Sequence, residues 1–113
     1  MLVLERLLRR PEFLAAAAKG RKWVAPGLVV QLLPQPEGKS IRYGLTASRK
    51  VGGAVVRNRA RRRMRALAES LLPASSLPPC DVVLIARPTA TVSRKFEDMK
   101  ADFATALAKL RPR

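Results

Sequence analysis

The sequence predicts an α/β (α+β) sandwich. One small, mostly antiparallel sheet carries packed helices in the order α-β-β-β-α-β-α, within a single domain spanning 1–113. Three observations carry this expectation. Val56, Ala60, Met64, Leu67 and Leu71 recur at helical spacing. The stretch from Ile41 to Ser48 alternates with a period of two. Asp81 to Ala86 is nearly continuous apolar sequence, the pattern of a strand interior to a sheet.

The elements follow in order. Pro11 and Glu12 read as the first turn of a helix running to about Lys19 and closed by Gly20. Its alanines at 15–18 bury little, so it leans on its neighbours through Leu7, Phe13 and Leu14. Leu28 to Leu33 reads as a strand stopped by Pro34 and Pro36, with a turn over Glu37 to Ser40. In the alternating strand, Ile41, Tyr43, Leu45 and Ala47 suit a core. Arg42, Gly44, Thr46 and Ser48 leave a polar sheet face where a ligand could lie. Val55 to Leu72 is the strongest helix, ended by Pro73. Thr91 or Ser93 could cap a last helix that buries Phe96, Met99, Phe103, Leu107 and Leu110, with Glu97, Asp98 and Asp102 complementing its dipole.

Charge points to the partner. Among 113 residues, 23 are Lys or Arg and 8 are Asp or Glu, a formal net charge of +15. At 48% hydrophobic residues the chain is not disordered by composition. A folded domain this basic repels itself, so the charge serves binding, with nucleic acid first and an anionic membrane second. Arginine outnumbers lysine, which favours bidentate phosphate recognition. The single cysteine, Cys80, excludes a disulfide framework and fits a reducing cytoplasm; it reads as a small residue at a strand start. Met1 to Leu8 is broken by Glu5 and Arg6 and does not read as a signal peptide. No apolar run reaches the length of a membrane span.

The charge concentrates from Arg49 to Arg65. Arg57, Arg61 and Arg65 are like charges at i,i+4 spacing, a cost of a few tenths of a kcal/mol per pair that bound phosphates would relieve. Lys50-Val51-Gly52-Gly53 ahead of the helix reads either as a phosphate-binding nest or as a flexible turn. Asn58 reads as a cap or exposed polar residue, or as an amide oxygen near a metal ion. Phe13 and Trp23 are candidates for base stacking and equally for core packing. Catalysis by the protein is not expected: there is no histidine, and the acids are too scattered for a metal site or an acid/base dyad.

The segment Gly44-Leu45-Thr46-Ala47-Ser48-Arg49-Lys50-Val51-Gly52-Gly53-Ala54-Val55-Val56-Arg57-Asn58-Arg59, with Arg61, Arg62 and Arg65 behind it, resembles the protein component of bacterial ribonuclease P. Weaker likenesses lie at Arg6-Leu7 and Glu12-Phe13, read as part of the family's first helix, at Gln35-Pro36-Glu37, and at Val82 to Arg87. The resemblance implies a left-handed βαβ crossover, against the base rate. It implies a cytoplasmic ribonucleoprotein in which a separate catalytic RNA, using Mg2+, removes the 5′ leader of precursor tRNA. It implies that Arg57, Asn58, Arg59, Arg61, Arg62 and Arg65 bind that RNA. Phe13, Val29, Gln31, Thr46, Ser48, Arg49 and Lys50 would then line a cleft for the single-stranded leader. The chain departs from the family pattern at Ala17 and Gln31, where aromatics are common; Trp23 could compensate. No obligate protein partner and no membrane are implied. A basic RNA-binding protein of ribosomal type is the alternative, ahead of a membrane-active protein and a DNA-reading helix-turn-helix.

Overall fold

The computed structural model describes residues 3–112; Met1, Leu2 and Arg113 lie outside the described residues. The chain runs β1 (Val3–Arg6), α1 (Arg10–Lys19), β2 (Arg21–Val24), β3 (Leu28–Pro34), β4 (Ser40–Thr46), a 3-10 turn (Arg49–Val51), α2 (Ala54–Leu71), β5 (Cys80–Ala86), α3 (Ala90–Ser93) and α4 (Phe96–Leu110). The strands form one sheet in the order β1-β4-β5-β3-β2. The sheet is mixed rather than mostly antiparallel. β1 and β5 both lie parallel to β4, while β3 is antiparallel to β5 and to β2. The balance shifts because β1, absent from the expected order, adds itself along β4; Arg6 belongs to this strand and not to the first helix.

The period-two pattern of the strands divides the core. Val30, Leu32, Ile41, Tyr43, Val82 and Leu84 face α2 and α4, where they meet Ala60, Met64, Leu67, Met99, Phe103 and Leu110. On the opposite face Leu7, Ala16 and Val83 pack with Phe13, Leu33 and Ile85 under α1. β5 is covered on both faces and sits between β4 and β3, which explains its unbroken apolar run. Cys80 is buried at its first position. Burial, then the neighbouring Asp81 charge, pushes its thiol up to about 12.

The β4-α2-β5 crossover is left-handed, and the bonding pattern demonstrates it. The Tyr43 side chain faces α2, where its hydroxyl donates to Glu69 Oε2 at 2.9 Å. The Tyr43 carbonyl accepts the Leu7 N–H at the end of β1. For an extended L-residue running upward, seen from the side its side chain faces, N–H and C=O point right. Seen from α2, β1 therefore lies to the right of β4 and β5 to its left. A crossover that moves left with its helix in front is left-handed, the rare hand.

Gly52 makes the entry into α2 possible. Its φ of +149° is a conformation that side-chain-bearing residues rarely adopt. Gly53 is the helix cap, and its carbonyl accepts the Arg57 N–H.

Three expectations need correction. Leu14 is 53% exposed, so α1 docks through Phe13 and Ala16 instead. Thr91 and Ser93 do not cap the last helix. They lie in α3, and the buried Thr91 hydroxyl donates to the Gly27 carbonyl while accepting the Arg87 N–H. Asp102 does more than complement a dipole: it is buried, paired with Arg94 at 2.7 Å, and accepts the Gly27 N–H.

Candidate nucleic-acid interface

Once the α2 stripe of Ala60, Met64 and Leu67 is buried, helical geometry leaves Asn58, Arg61, Arg62 and Arg65 together beside β1 and the end of β4. With Arg6, Leu45 and Val55 they line an open concavity of about 520 Å³. Arg6 was not among the expected site residues. The β1–β4 register places it opposite Tyr43, and its guanidinium lies 5.2 Å from the Tyr43 ring centroid. Its signal could be found only by recognising β1 as a strand.

The arginines are not equivalent. Arg65 Nε donates to Glu69 Oε2 at 3.0 Å, and the same oxygen accepts from Tyr43. The Arg65 and Tyr43 hydrogen bonds hold the Glu69 carboxyl below its ordinary value. Arg61 reaches Asn58 Oδ1 at 3.4 Å and the Ala47 carbonyl at 3.5 Å. Among the described residues, Arg57, Arg59, Arg61 and Arg62 form no ion pair. Arg57 and Arg59 lie outside the concavity lining; Arg57 is half-buried with an unpartnered Nε, and Arg59 is exposed. Asn58 lies one turn inside the helix, so it is not a cap.

The surroundings of Asn58 favour an anion over a bare cation. Its one amide oxygen stands among Arg61, Arg62 and Arg65, and no carboxylate lines the concavity. A divalent ion there would meet repulsion; a phosphate would meet several guanidinium donors and, at the Gly53 end, a helix start without a side-chain cap.

The opposite sheet face is built in rows by the strand register. Val29, Ile85 and Thr46 are neighbours across β3, β5 and β4. Gln31, Val83 and Gly44 form the next row, and Leu33, Asp81 and Arg42 the third. α1 lies over the second and third rows, with Phe13 on Gly44 and Glu12 on Arg42. The first row stays half-exposed and forms a floor beside α1. The structure thus places Phe13, Val29, Gln31 and Thr46 on one face of the sheet beside α1, together with Ile85, which sequence reasoning missed. Ser48, Arg49 and Lys50 are exposed and continue from the Thr46 end into the turn before α2.

Two expectations about this face change. Arg42 is not a free cation on this face, because its guanidinium is gripped by Asp81 at 2.7 Å and by Glu12. Trp23 cannot compensate for the missing aromatics. It pairs with Val30, so it faces the core on the other side of the sheet, where Lys109 lies 5.8 Å from its ring centroid.

Gly44 is what allows the Phe13 ring to approach the sheet so closely. A Cβ there would lie 2.4 Å from Phe13 Cε1 and 2.6 Å from Cζ. Gly44→Ala is expected to displace α1 and cost about 1–3 kcal/mol, read as a lower urea midpoint. An unchanged midpoint would show that Phe13 swings away without cost.

A family model described as Ribonuclease P matches residues 1–111. The chain is 40% identical over 111 residues to the "Ribonuclease P protein component" of Paramagnetospirillum magneticum, covering 95% of this chain and 83% of that protein. It is 44% identical over 106 residues to the protein of the same name from Ruegeria pomeroyi, covering 92% and 84%. Among solved structures, the RNase P protein of Staphylococcus aureus superposes with a TM-score of 0.76 at 25% identity, over 95% of this chain and 97% of that one. The fold is shared with the RNase P protein from Thermotoga maritima, at a TM-score of 0.73 and 24% identity over 93% and 94% of the two chains.

Proposed function

The chain belongs to the ribonuclease P protein family and is the protein subunit of that RNA-based enzyme; from this premise we propose that its two faces hold two different RNA elements. The α2 concavity, flanked by Arg57 and Arg59, grips phosphates of the catalytic RNA. The cleft between α1 and the sheet receives the single-stranded 5′ leader of precursor tRNA. The turn at Ser48, Arg49 and Lys50 joins the two and lies along the path between them.

The observation that carries this reading is the pair Arg61 and Arg62, held on a rigid helix with no carboxylate partner among the described residues. Guanidinium forks so placed fit bidentate phosphate contacts. On the cleft side, Phe13 offers a ring to a base while Val29 and Ile85 provide an apolar floor. The protein's contribution is positional: it neutralises backbone charge and fixes the leader relative to the RNA. Glu12, Glu69, Asp81 and Asp102 are engaged in ion pairs, which supports leaving proton transfer and Mg2+ to the RNA. No helix among the described residues is long and apolar enough to cross a membrane. We place the assembly in the cytoplasm, a compartment that suits the free thiol of Cys80.

The test is reconstitution at low magnesium, with a bacterial ribonuclease P RNA and a precursor tRNA. The chain is expected to restore cleavage at the mature 5′ end. Phe13→Ala is expected to weaken binding of leader-bearing precursor roughly tenfold while leaving mature tRNA unaffected, the loss of one base stack. Binding of the RNA without any gain in cleavage would favour the ribosomal-type reading instead.

A further inference from the structure

We infer that the leader cleft does not end at β3 but crosses onto the edge strand β2, where Lys22 and Val24 form its far bank and contact the leader nucleotides most distant from the cleavage point. This rests on the leader-binding reading above.

The register sets the geometry. β2 is antiparallel to β3, with Val24 opposite Val29, Lys22 opposite Gln31 and Trp23 opposite Val30. Opposed residues share a face, so Val24 extends the row Val29-Ile85-Thr46, and Lys22 extends the row of Gln31 and Val83. Trp23 fixes this orientation by packing on the core side, and Arg21 Nη2 ties the strand to the Lys109 carbonyl of α4 at 3.2 Å. Slipping β2 by one residue would turn Trp23 out to solvent.

The result is a strip four strands wide, apolar at Val24, Val29 and Ile85 and ending on Thr46, about 14 Å from β4 to β2 at ordinary strand spacing. Val24 is 56% exposed at its far end, with no helix over it. Lys22 is exposed and makes no ion pair among the described residues. Lys22 stands in the adjacent row on β2, and Arg49 and Lys50 follow Thr46 past the end of β4. A mostly apolar floor with cations beside it suits a single strand, with bases on the floor and phosphates toward the cations.

The direction follows from the other face. The α2 concavity takes in Arg6 of β1 and Leu45 of β4, so it lies at the β1–β4 side of the sheet. A leader emerging from an RNA held there meets Thr46 first and Lys22 and Val24 last. Those two residues carry affinity that only a longer leader can use.

The experiment uses the reconstituted holoenzyme with Lys22→Glu combined with Val24→Ser, both exposed positions that leave Trp23 in place. Affinities are measured for mature tRNA and for precursors whose leaders have about three or about ten nucleotides. The expected result is a roughly tenfold loss on the long leader alone, with the salt slope for that substrate reduced by about one. Equal loss on all three RNAs, or no loss on the long leader, overturns the extension. If the unmodified holoenzyme gains nothing from any leader, the leader-binding reading itself fails. If Phe13→Ala abolishes the leader preference and the double variant does not, only the extension onto β2 fails.

Discussion

Replacing Arg61 and Arg62 together by alanine is expected to weaken binding of the catalytic RNA on the order of thirtyfold at moderate salt. The two side chains share a concavity with Arg6, Asn58 and Arg65, and neither has a carboxylate partner among the described residues. Each charge-assisted contact contributes about 1 kcal/mol net after desolvation, and the two sum to roughly that factor. The slope of log K against log salt should become shallower by about two, because two fewer phosphates are neutralised. The fold should persist. The residues that bury α2 are Ala60, Met64, Leu67 and Ala68, while Arg62 is exposed and Arg61 half-exposed. Arg65→Ala is expected to cost less than either, since Arg65 already answers Glu69 at 3.0 Å. An unchanged salt slope in a natively folded double variant would remove this face from the RNA interface.

The same arginines show how far the sequence could be read. The α2 stripe is legible because helical spacing needs no knowledge of the rest of the chain, and β4 and β5 are legible for the same reason. β1 is not. It has four residues, Glu5 and Arg6 among them, and only Leu4 turns toward the core. Its state is set by pairing with β4, a tertiary cause that leaves no local pattern. Missing β1 hid both Arg6 and the parallel character of that edge. That Val29, Gln31 and Thr46 share one sheet face is legible from alternation and resemblance, yet the side on which Trp23 falls depends on its register with Val30. Arg42 reads only as part of an open polar face for a similar reason. Its partners are 30 and 39 residues away in sequence, and only the closed sheet brings them to it.

The Arg42 network carries the second large effect. Asp81 is 1% exposed inside the sheet, and its carboxylate accepts Arg42 Nε at 2.8 Å, Arg42 Nη2 at 2.7 Å and Gln35 Nε2 at 3.0 Å. Arg42 passes the connection on to Glu12 in the first turn of α1, where the carboxylate also accepts the Arg9 N–H. A buried acid thereby anchors the helix that carries Phe13 over the cleft. Asp81→Ala leaves the partly exposed Arg42 guanidinium with Glu12 as its one partner, and the expected loss is about 3 kcal/mol, near the low end for a broken buried pair because Arg42 keeps some access to water. Replacing both groups by apolar residues, Arg42→Met with Asp81→Leu, is expected to recover most of that stability, since neither charge is then stranded. It should not recover leader affinity, because Glu12 loses its hold and Phe13 is no longer pinned above Gly44. Acid should act on the same link. Burial pushes the Glu12 carboxyl up, but the Arg9 N–H and the Arg42 charge outweigh it, so its folded value lies below the unfolded one. The contribution of Glu12 is then complete above the unfolded value and disappears as pH falls through the folded one. Urea unfolding of the three proteins, set beside their affinities for precursors with and without a leader, separates the two roles. If the double variant regains stability and leader affinity together, Arg42 merely fills space; if stability returns alone, the ion pair is what holds α1 in its binding position.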